Sequence, residues 1–212
     1  MKLSGDIEHY IFSHIDSEDE ILKELDRETH FKVINYRMLA GHLQGHFLTL
    51  MAKLIQPDKI LEIGTLTGYS AICLARGLNA GGKLITIDID DELAENSRKY
   101  FIKAGLGDSI IQLTGNAIDL LPALDETFDL VLIDADKKEY TAYYNLVFGK
   151  VRPGGLIIAD NTLWGGKVTE LSAVIDEQTR GIMQFNELIK NDSRVEKLIL
   201  PFRDGMTLIR KK

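Results

Sequence analysis

From Lys59 onward, short continuous apolar runs alternate with helical patterns, and this alternation constrains the fold more than any other feature. The pairs are "KILEIG" and "YSAICLARGL", "KLITIDI" and "DELAENSRKYFIKAGL", "IIQLTG" and "AIDLLPAL", then "FDLVLIDA" and "KEYTAYYNLVFGKV", with "GLIIAD" after them. Runs that lack a polar face are buried on both sides, which means a parallel sheet sandwiched between helices. The order predicts a doubly wound, Rossmann-like α/β fold. "RPG" before "GLIIAD" reads as a turn. The tail "VEKLILPFRDGMTLIRKK" is two strand-like runs joined by "RDG", a hairpin signal. The expectation is a seven-stranded, mainly parallel sheet with an antiparallel C-terminal hairpin at its edge.

The segment before the alternation is helical. "IEHYIFSHI", "DEILKELDRETHF" and "GHLQGHFLTLMAKLI" place apolar residues three and four apart, and the last stops near Pro57. Ser17 and Glu20 have capping-box spacing for the second of these helices. No repeat or linker interrupts the 212 residues, so a single domain is expected, with a helical layer over 1–56 and an α/β core over 57–212. The net charge of -7 disfavours a protein that lives on phosphate backbones. One cysteine, Cys73, excludes an internal disulfide and a cysteine-rich zinc site. The acidic, histidine-bearing N-terminus does not read as a signal peptide, and no run approaches the roughly 18 apolar residues of a membrane span. A cytoplasmic protein with no membrane partner is expected.

Four stretches carry candidate chemistry. In "LEIGTLTGYS" a strand runs through Gly64 and Gly68 into a helix. The glycines permit a tight turn and close ligand approach, but their spacing is not that of a dinucleotide or phosphate loop. Glu62 would repel a pyrophosphate, so the loop suits a cationic or hydroxyl-rich ligand, or is a plain strand-to-helix turn. Asp88 ends the next strand, roughly 20 residues on, where an acid accepts ribose hydroxyls. The alternative is a cap for a helix starting near Asp91, although Asp90 and Asp91 are better placed for that.

"DADKKEY" and "IIADN" end two further strands. Asp134, Asp160 and Asn161 each alone suit a cap or turn. Together they offer hard oxygens for magnesium, manganese or calcium. Lys137 beside them is a candidate base, with Lys138 pointing outward and Asp136 ordering the turn or supporting Lys137. Among His9, His14, His30, His42 and His46, only His42 and His46 lie one helical turn apart. No third ligand accompanies them, so surface or packing roles are expected.

"LEIGTLTGYSA", "ITIDID", "FDLVLIDADKKEY" and "GGLIIADNTLWGGKV" together resemble the class I S-adenosylmethionine-dependent O-methyltransferases. Within them the resemblance is to the metal-dependent caffeoyl-CoA and catechol O-methyltransferase family, nearer the caffeoyl-CoA branch through "DADK" and "DNTLW". It covers about the last three-quarters of the chain, and "GHLQGHF" resembles the family's helix start over the cofactor. The resemblance implies that Glu62, Gly64 and Thr65 lie beside the methionine and ribose of S-adenosyl-L-methionine, Ser70 binds its carboxylate, and Asp88 holds the ribose. Ile89, Gly115, Asn116 and Ala117 would line the adenine, with Met38 and Ala40 on the other side. Asp134, Asp160 and Asn161 would hold the divalent cation, with Asp134 also near the cofactor, and Lys137 would be the general base.

The implied reaction is methylation of a hydroxyl on a small hydroxylated aromatic substrate, catechol-like or phenylpropanoid. Trp164 is an aromatic wall for it or a packing residue. The segment "GGKVTELSAVIDEQTR" is expected as a loop near the site. No dense basic patch accompanies the coenzyme A reading. Two other readings are a methyltransferase for a hydroxylated tRNA nucleoside, against which the acidic balance weighs, and a non-catalytic binding protein on the same fold. Intact Asp134, Lys137, Asp160 and Asn161 argue against the last. A homodimer is implied by the family, with the N-terminal helices as its interface.

Overall fold

The computed structural model describes residues 5–170 and 175–212. Three helices lead, α1 (Gly5–His14), α2 (Glu20–Lys32) and α3 (Gly41–Ile55). Alternation follows: β1 (Lys59–Ile63), α4 (Tyr69–Ala75), β2 (Lys83–Asp88), α5 (Ala94–Lys103), β3 (Ile110–Thr114), α6 (Ala117–Leu120), β4 (Phe128–Ile133), α7 (Tyr140–Phe148) and β5 (Val151–Asp160). The chain closes with α8 (Glu177–Asn191), β6 (Val195–Leu200) and β7 (Met206–Lys211). The strands form one sheet in the order β3-β2-β1-β4-β5-β7-β6. β1 to β5 pair in parallel, and β7 runs antiparallel to both β5 and β6. After β1 the chain builds outward to β3, then returns to lay β4 on the other side of β1. In open parallel sheets the point of such a reversal, here above the carboxyl ends of β1 and β4, is where ligands bind.

The unbroken apolar runs follow from this placement. Ile60, Leu130, Leu132 and Ile158 pack on one face with Leu48 of α3, Ile72 of α4 and Phe101 of α5. Leu61, Ile63, Val131, Ile133 and Ala159 pack on the other with Leu121, Tyr144 of α7 and Phe185 of α8. Full burial of each large aliphatic side chain contributes about 1.5–3 kcal/mol relative to exposure. Leu22 and Leu25 of α2 join the first of these cores, whereas α1 buries none of its residues.

Three local expectations are corrected. α2 is capped by Asp19, not Ser17: the helix starts two residues later, and the Asp19 carboxylate accepts from the N–H groups of Ile21 (2.9 Å) and Leu22 (3.3 Å). "RPG" is not a turn ahead of a strand. It lies inside β5, where the pairing with β4 shifts register between Phe128 and Leu130, so the extra residues are absorbed as a bulge. α5 begins at Ala94 without a side-chain cap. Asp90 instead accepts the Glu92 N–H at 2.9 Å, and Asp88 turns back toward the glycine loop. The loop expected over 165–180 starts as a 3-10 turn at Trp164–Thr169, residues 171–174 of it lie outside the described residues, and from Glu177 it is already the first turn of α8.

Gly64 and Gly68 are required by protein contacts as well as by any ligand. Gly64 has φ +105°, and a Cβ there would sit 2.0 Å from the Asp134 carbonyl oxygen. Gly68, at φ +87°, would place its Cβ 2.3 Å from the Phe101 ring. The tip of β1 can therefore reach the tip of β4 only without a side chain. Gly64→Ala is expected to lower stability by at least about 2 kcal/mol, because strain adds to a backbone clash. Gly81→Ala has a comparable φ of +82° but open space, and should cost only about 1–2 kcal/mol. Denaturant titration of both variants checks this; equal losses would contradict the close-approach account.

Candidate active site

The residues singled out from the sequence converge on the strand tips. The parallel ladders extend one residue past β1 and β4: Gly64 N–H donates to Ile87 O (2.8 Å) and Asp134 N–H to Ile63 O (2.9 Å). Asp88 faces this point. Its carboxylate accepts from Thr65 N–H (2.8 Å), Leu66 N–H (2.7 Å) and Asp90 N–H (3.0 Å). Of the roughly four lone-pair positions of a carboxylate, one is left for a ligand hydroxyl. Glu62 lies beneath the loop, 0% exposed. The Thr86 hydroxyl donates to its Oε2 at 2.5 Å, and its Oε1 makes no hydrogen bond. Burial pushes the carboxyl up to about 8, with the hydroxyls of Ser70 and Thr86 pulling the other way. A buried oxygen lacking a donor fits a cationic or hydrogen-donating ligand above it.

Beyond β4, Asp136 caps a 3-10 turn at Lys137–Glu139, accepting the Lys138 N–H at 3.3 Å. The two lysines separate as expected. Lys137 is 9% exposed, and its Nζ donates to Asp134 Oδ1 at 2.8 Å, 5.3 Å from the Tyr140 ring centroid. Lys138 points out and pairs with Asp136 at 3.3 Å. The first turns of α8 clamp this turn. Gln178 accepts the Lys137 N–H at 2.9 Å and donates to Asp136 at 2.8 Å. Gly181 lies so near that a Cβ would meet Lys137 O at 2.5 Å.

Asp160 ends β5, the neighbour of β4, and is 4% exposed. Its carboxylate accepts from Gln44 Nε2 (2.6 Å) and from the Asn161 N–H (2.8 Å). Burial and then the charge of Asp134 push it up to about 6, against the pull of Gln44, the Asn161 N–H and Lys137. A buried carboxylate raised by the charge of a second one suits a cation beside both, and the amide oxygen of Asn161 would complete a hard, oxygen-only donor set. Asn161 has φ +56°, a region asparagine enters at low cost. Among the described residues there is no cluster of three or more His, Cys, Asp or Glu, so any such site needs that amide. Tyr140 ties the two tips together, the single proton of its hydroxyl shared between Ile133 O (3.2 Å) and Asp160 O (3.1 Å). Burial holds its phenol well above the usual range, so it stays a donor.

The other candidates spread around this centre. Thr65 is buried, with its hydroxyl 2.5 Å from that of Thr86, and Ser70 is half-buried in the first turn of α4. Gly115 has φ +148°, and Asn116 caps α6 by accepting the Ile118 N–H at 2.9 Å. Ala40 and Ala117 are buried, whereas Met38 and Ile89 are exposed, available to a ligand but not packed in the core. Trp164 is half-buried against the α7–α8 side, with Lys167 Nζ 5.9 Å from its ring and its indole N–H unpaired. Grooves of about 550 and 490 Å³ run along α8, but neither is lined by Asp134, Lys137 or Asp160. Charge and burial mark the site better than cavity volume.

Sequence reasoning missed Gln44, Tyr140, Gln178, Gly181 and Arg203. Gln44 left a signal: it precedes Leu48 and Ala52 at four-residue steps, a polar residue on the apolar stripe of α3. The others act through contacts between segments far apart in the chain.

Comparison with known proteins gives the family. A family model described as O-methyltransferase matches residues 12–212, further into the N-terminal helices than the motifs alone reach. The catechol O-methyltransferase of Niastella koreensis is 41% identical over 174 residues, 78% of each chain. The caffeoyl-CoA O-methyltransferase of Petroselinum crispum is 36% identical over 205 residues, 92% of this chain and 85% of that protein. The crystal structure of the O-methyltransferase TomG from Streptomyces achromogenes, in complex with SAM, superposes with a TM-score of 0.90 at 32% identity, covering 98% of this chain and 96% of that one. The chain belongs to the O-methyltransferase family, in the company of catechol and caffeoyl-CoA O-methyltransferases.

Proposed function

We propose that this O-methyltransferase draws its methyl group from S-adenosylmethionine and, with a divalent cation on Asp134, Asp160 and Asn161, methylates a hydroxyl of a catechol-like or phenylpropanoid small molecule. The observation that carries the reading is the pair of carboxylates at adjacent strand tips, one of them buried, with Lys137 joined to the other at 2.8 Å. The SAM bound to TomG and the names of the catechol and caffeoyl-CoA relatives support the donor and the acceptor class. A chain with this family match and an intact charged set is better explained as an enzyme than as a binding protein on the same fold.

The methyl donor supplies an electrophilic methyl group, and the divalent cation supplies Lewis acidity toward the acceptor hydroxyl. The protein's own groups do the rest. Glu62 offers its unpaired Oε1 from beneath the glycine loop, and Asp88 its remaining lone pair from the tip of β2. In its neutral form, favoured by the charge of a divalent cation beside it, Lys137 Nζ would take the hydroxyl proton while the acceptor oxygen bonds to the methyl carbon and the carbon–sulfur bond of the donor breaks, releasing S-adenosylhomocysteine. Asp134 and the Tyr140 ring then hold the resulting ammonium. The α8 clamp on the Lys137 backbone keeps Nζ in place, so much of the rate comes from positioning.

Chelator-treated enzyme should lose methyl transfer and regain it with added Mg²⁺ or Mn²⁺, as followed with a labelled methyl donor and catechol. Full activity after chelation would remove the cation from the mechanism. Asp134→Ala and Asp160→Ala should each abolish turnover in the same assay. Lys137→Ala should slow turnover by about 10²-fold or more while leaving S-adenosylhomocysteine affinity largely intact. Near-normal turnover in that variant would take the base role from Lys137.

A further inference from the structure

Gln44 is 1% exposed, in the first turn of a helix that otherwise buries apolar side chains, and it reaches across 116 residues of sequence to Asp160. Its amide is read from both ends. Nε2 donates to Asp160 Oδ2 at 2.6 Å, and Oε1 accepts from Arg203 Nη1 at 2.7 Å. A carboxylate can only accept and a guanidinium can only donate, so one amide orientation satisfies both neighbours. The flipped one would set acceptor against acceptor and donor against donor. Arg203 stands in the turn between β6 and β7, at φ +50°, and also donates to the backbone carbonyls of Leu39 and Ala40, where α3 begins. Gln44 on Oδ2 and the Asn161 N–H on Oδ1 fix the plane of the Asp160 carboxylate and still leave each oxygen a lone pair.

We propose that Gln44 is a positioning residue for the cation site, holding Asp160 in the geometry the ion requires and held in turn by Arg203. The inference rests on the cation reading given above and extends it. It makes cation affinity depend on the N-terminal helical layer and the C-terminal hairpin, neither of which supplies a ligand. Groups that orient metal ligands without touching the metal alter affinity by about 10–100-fold.

The test measures Mn²⁺ binding to the full chain by paramagnetic resonance of the free ion. The proteins are the wild type, Gln44→Met, Arg203→Met and the double variant, each with its metal-free thermal midpoint. Gln44→Met should weaken Mn²⁺ binding about tenfold or more. Arg203→Met should weaken it less, and should add little in the Gln44→Met background because both act through one chain of bonds. If Gln44→Met does not fold, Arg203→Met alone carries the test. Wild-type affinity in the folded variants, with only the thermal midpoint lowered, would assign both residues a purely structural role and overturn the proposal. If the wild type itself takes up no Mn²⁺, the cation reading fails first and this inference with it.

Discussion

Asp134 and Asp160 carry like charges to the tips of neighbouring strands, and Asp160 is almost wholly withdrawn from water. Burying a carboxylate beside another is unfavourable unless positive charge or donors answer it. Much of the surrounding structure is an answer to that constraint. Lys137 donates to Asp134, Gln44 and the Asn161 N–H donate to Asp160, and Tyr140 ties the two strand ends through their carbonyls. These donors leave Asp160 still pushed up to about 6 by burial and by its neighbour. The protein tolerates a residual electrostatic conflict that a divalent cation would relieve. Functional sites are where such conflicts persist.

The same constraint explains why distant segments meet here. Lys137 follows β4 by only a few residues, so its position depends on what packs over that turn. α8 does this with Gln178 and with Gly181, whose missing side chain lets the helix backbone come close. On the opposite side of the sheet, α3 brings Gln44, and the β6–β7 turn brings Arg203. The glycine loop adds a third close approach, since Gly64 lets the tip of β1 lie against the Asp134 carbonyl. The glycine loop and the charged strand tips are thereby coupled through backbone contact. Displacement of one should be felt by the other.

Much of this was legible in the chain. The strands announced themselves because a doubly covered sheet needs residues such as those of "FDLVLI", apolar on both faces, and the charged tips announced themselves because acids there have no packing reason to exist. Boundaries were less legible. Ser17 and Glu20 have capping-box spacing, yet Asp19 two residues on wins the cap and pairs with Arg76 as well. "RPG" has turn chemistry, yet the ladder with β4 continues past it, so tertiary pairing overrides the local signal. The supporting residues were hidden for another reason. Nothing local distinguishes Gln178 or Arg203 from ordinary surface side chains; their roles exist only once segments 40 or more residues apart are folded together. Gly64 was read for close ligand approach, and its contact with the Asp134 carbonyl emerges only in the fold.

The central claim is that Asp134, Asp160 and Asn161 hold a divalent cation beside Lys137. Crystals grown with Mn²⁺ and S-adenosylhomocysteine, recorded near the manganese absorption edge, test it most directly. The account predicts an anomalous peak bonded to one oxygen from each of the three residues, with Lys137 Nζ close by but not coordinated. A peak at another place on the surface, or a fully formed cofactor complex with no peak between Asp134 and Asp160, would contradict it.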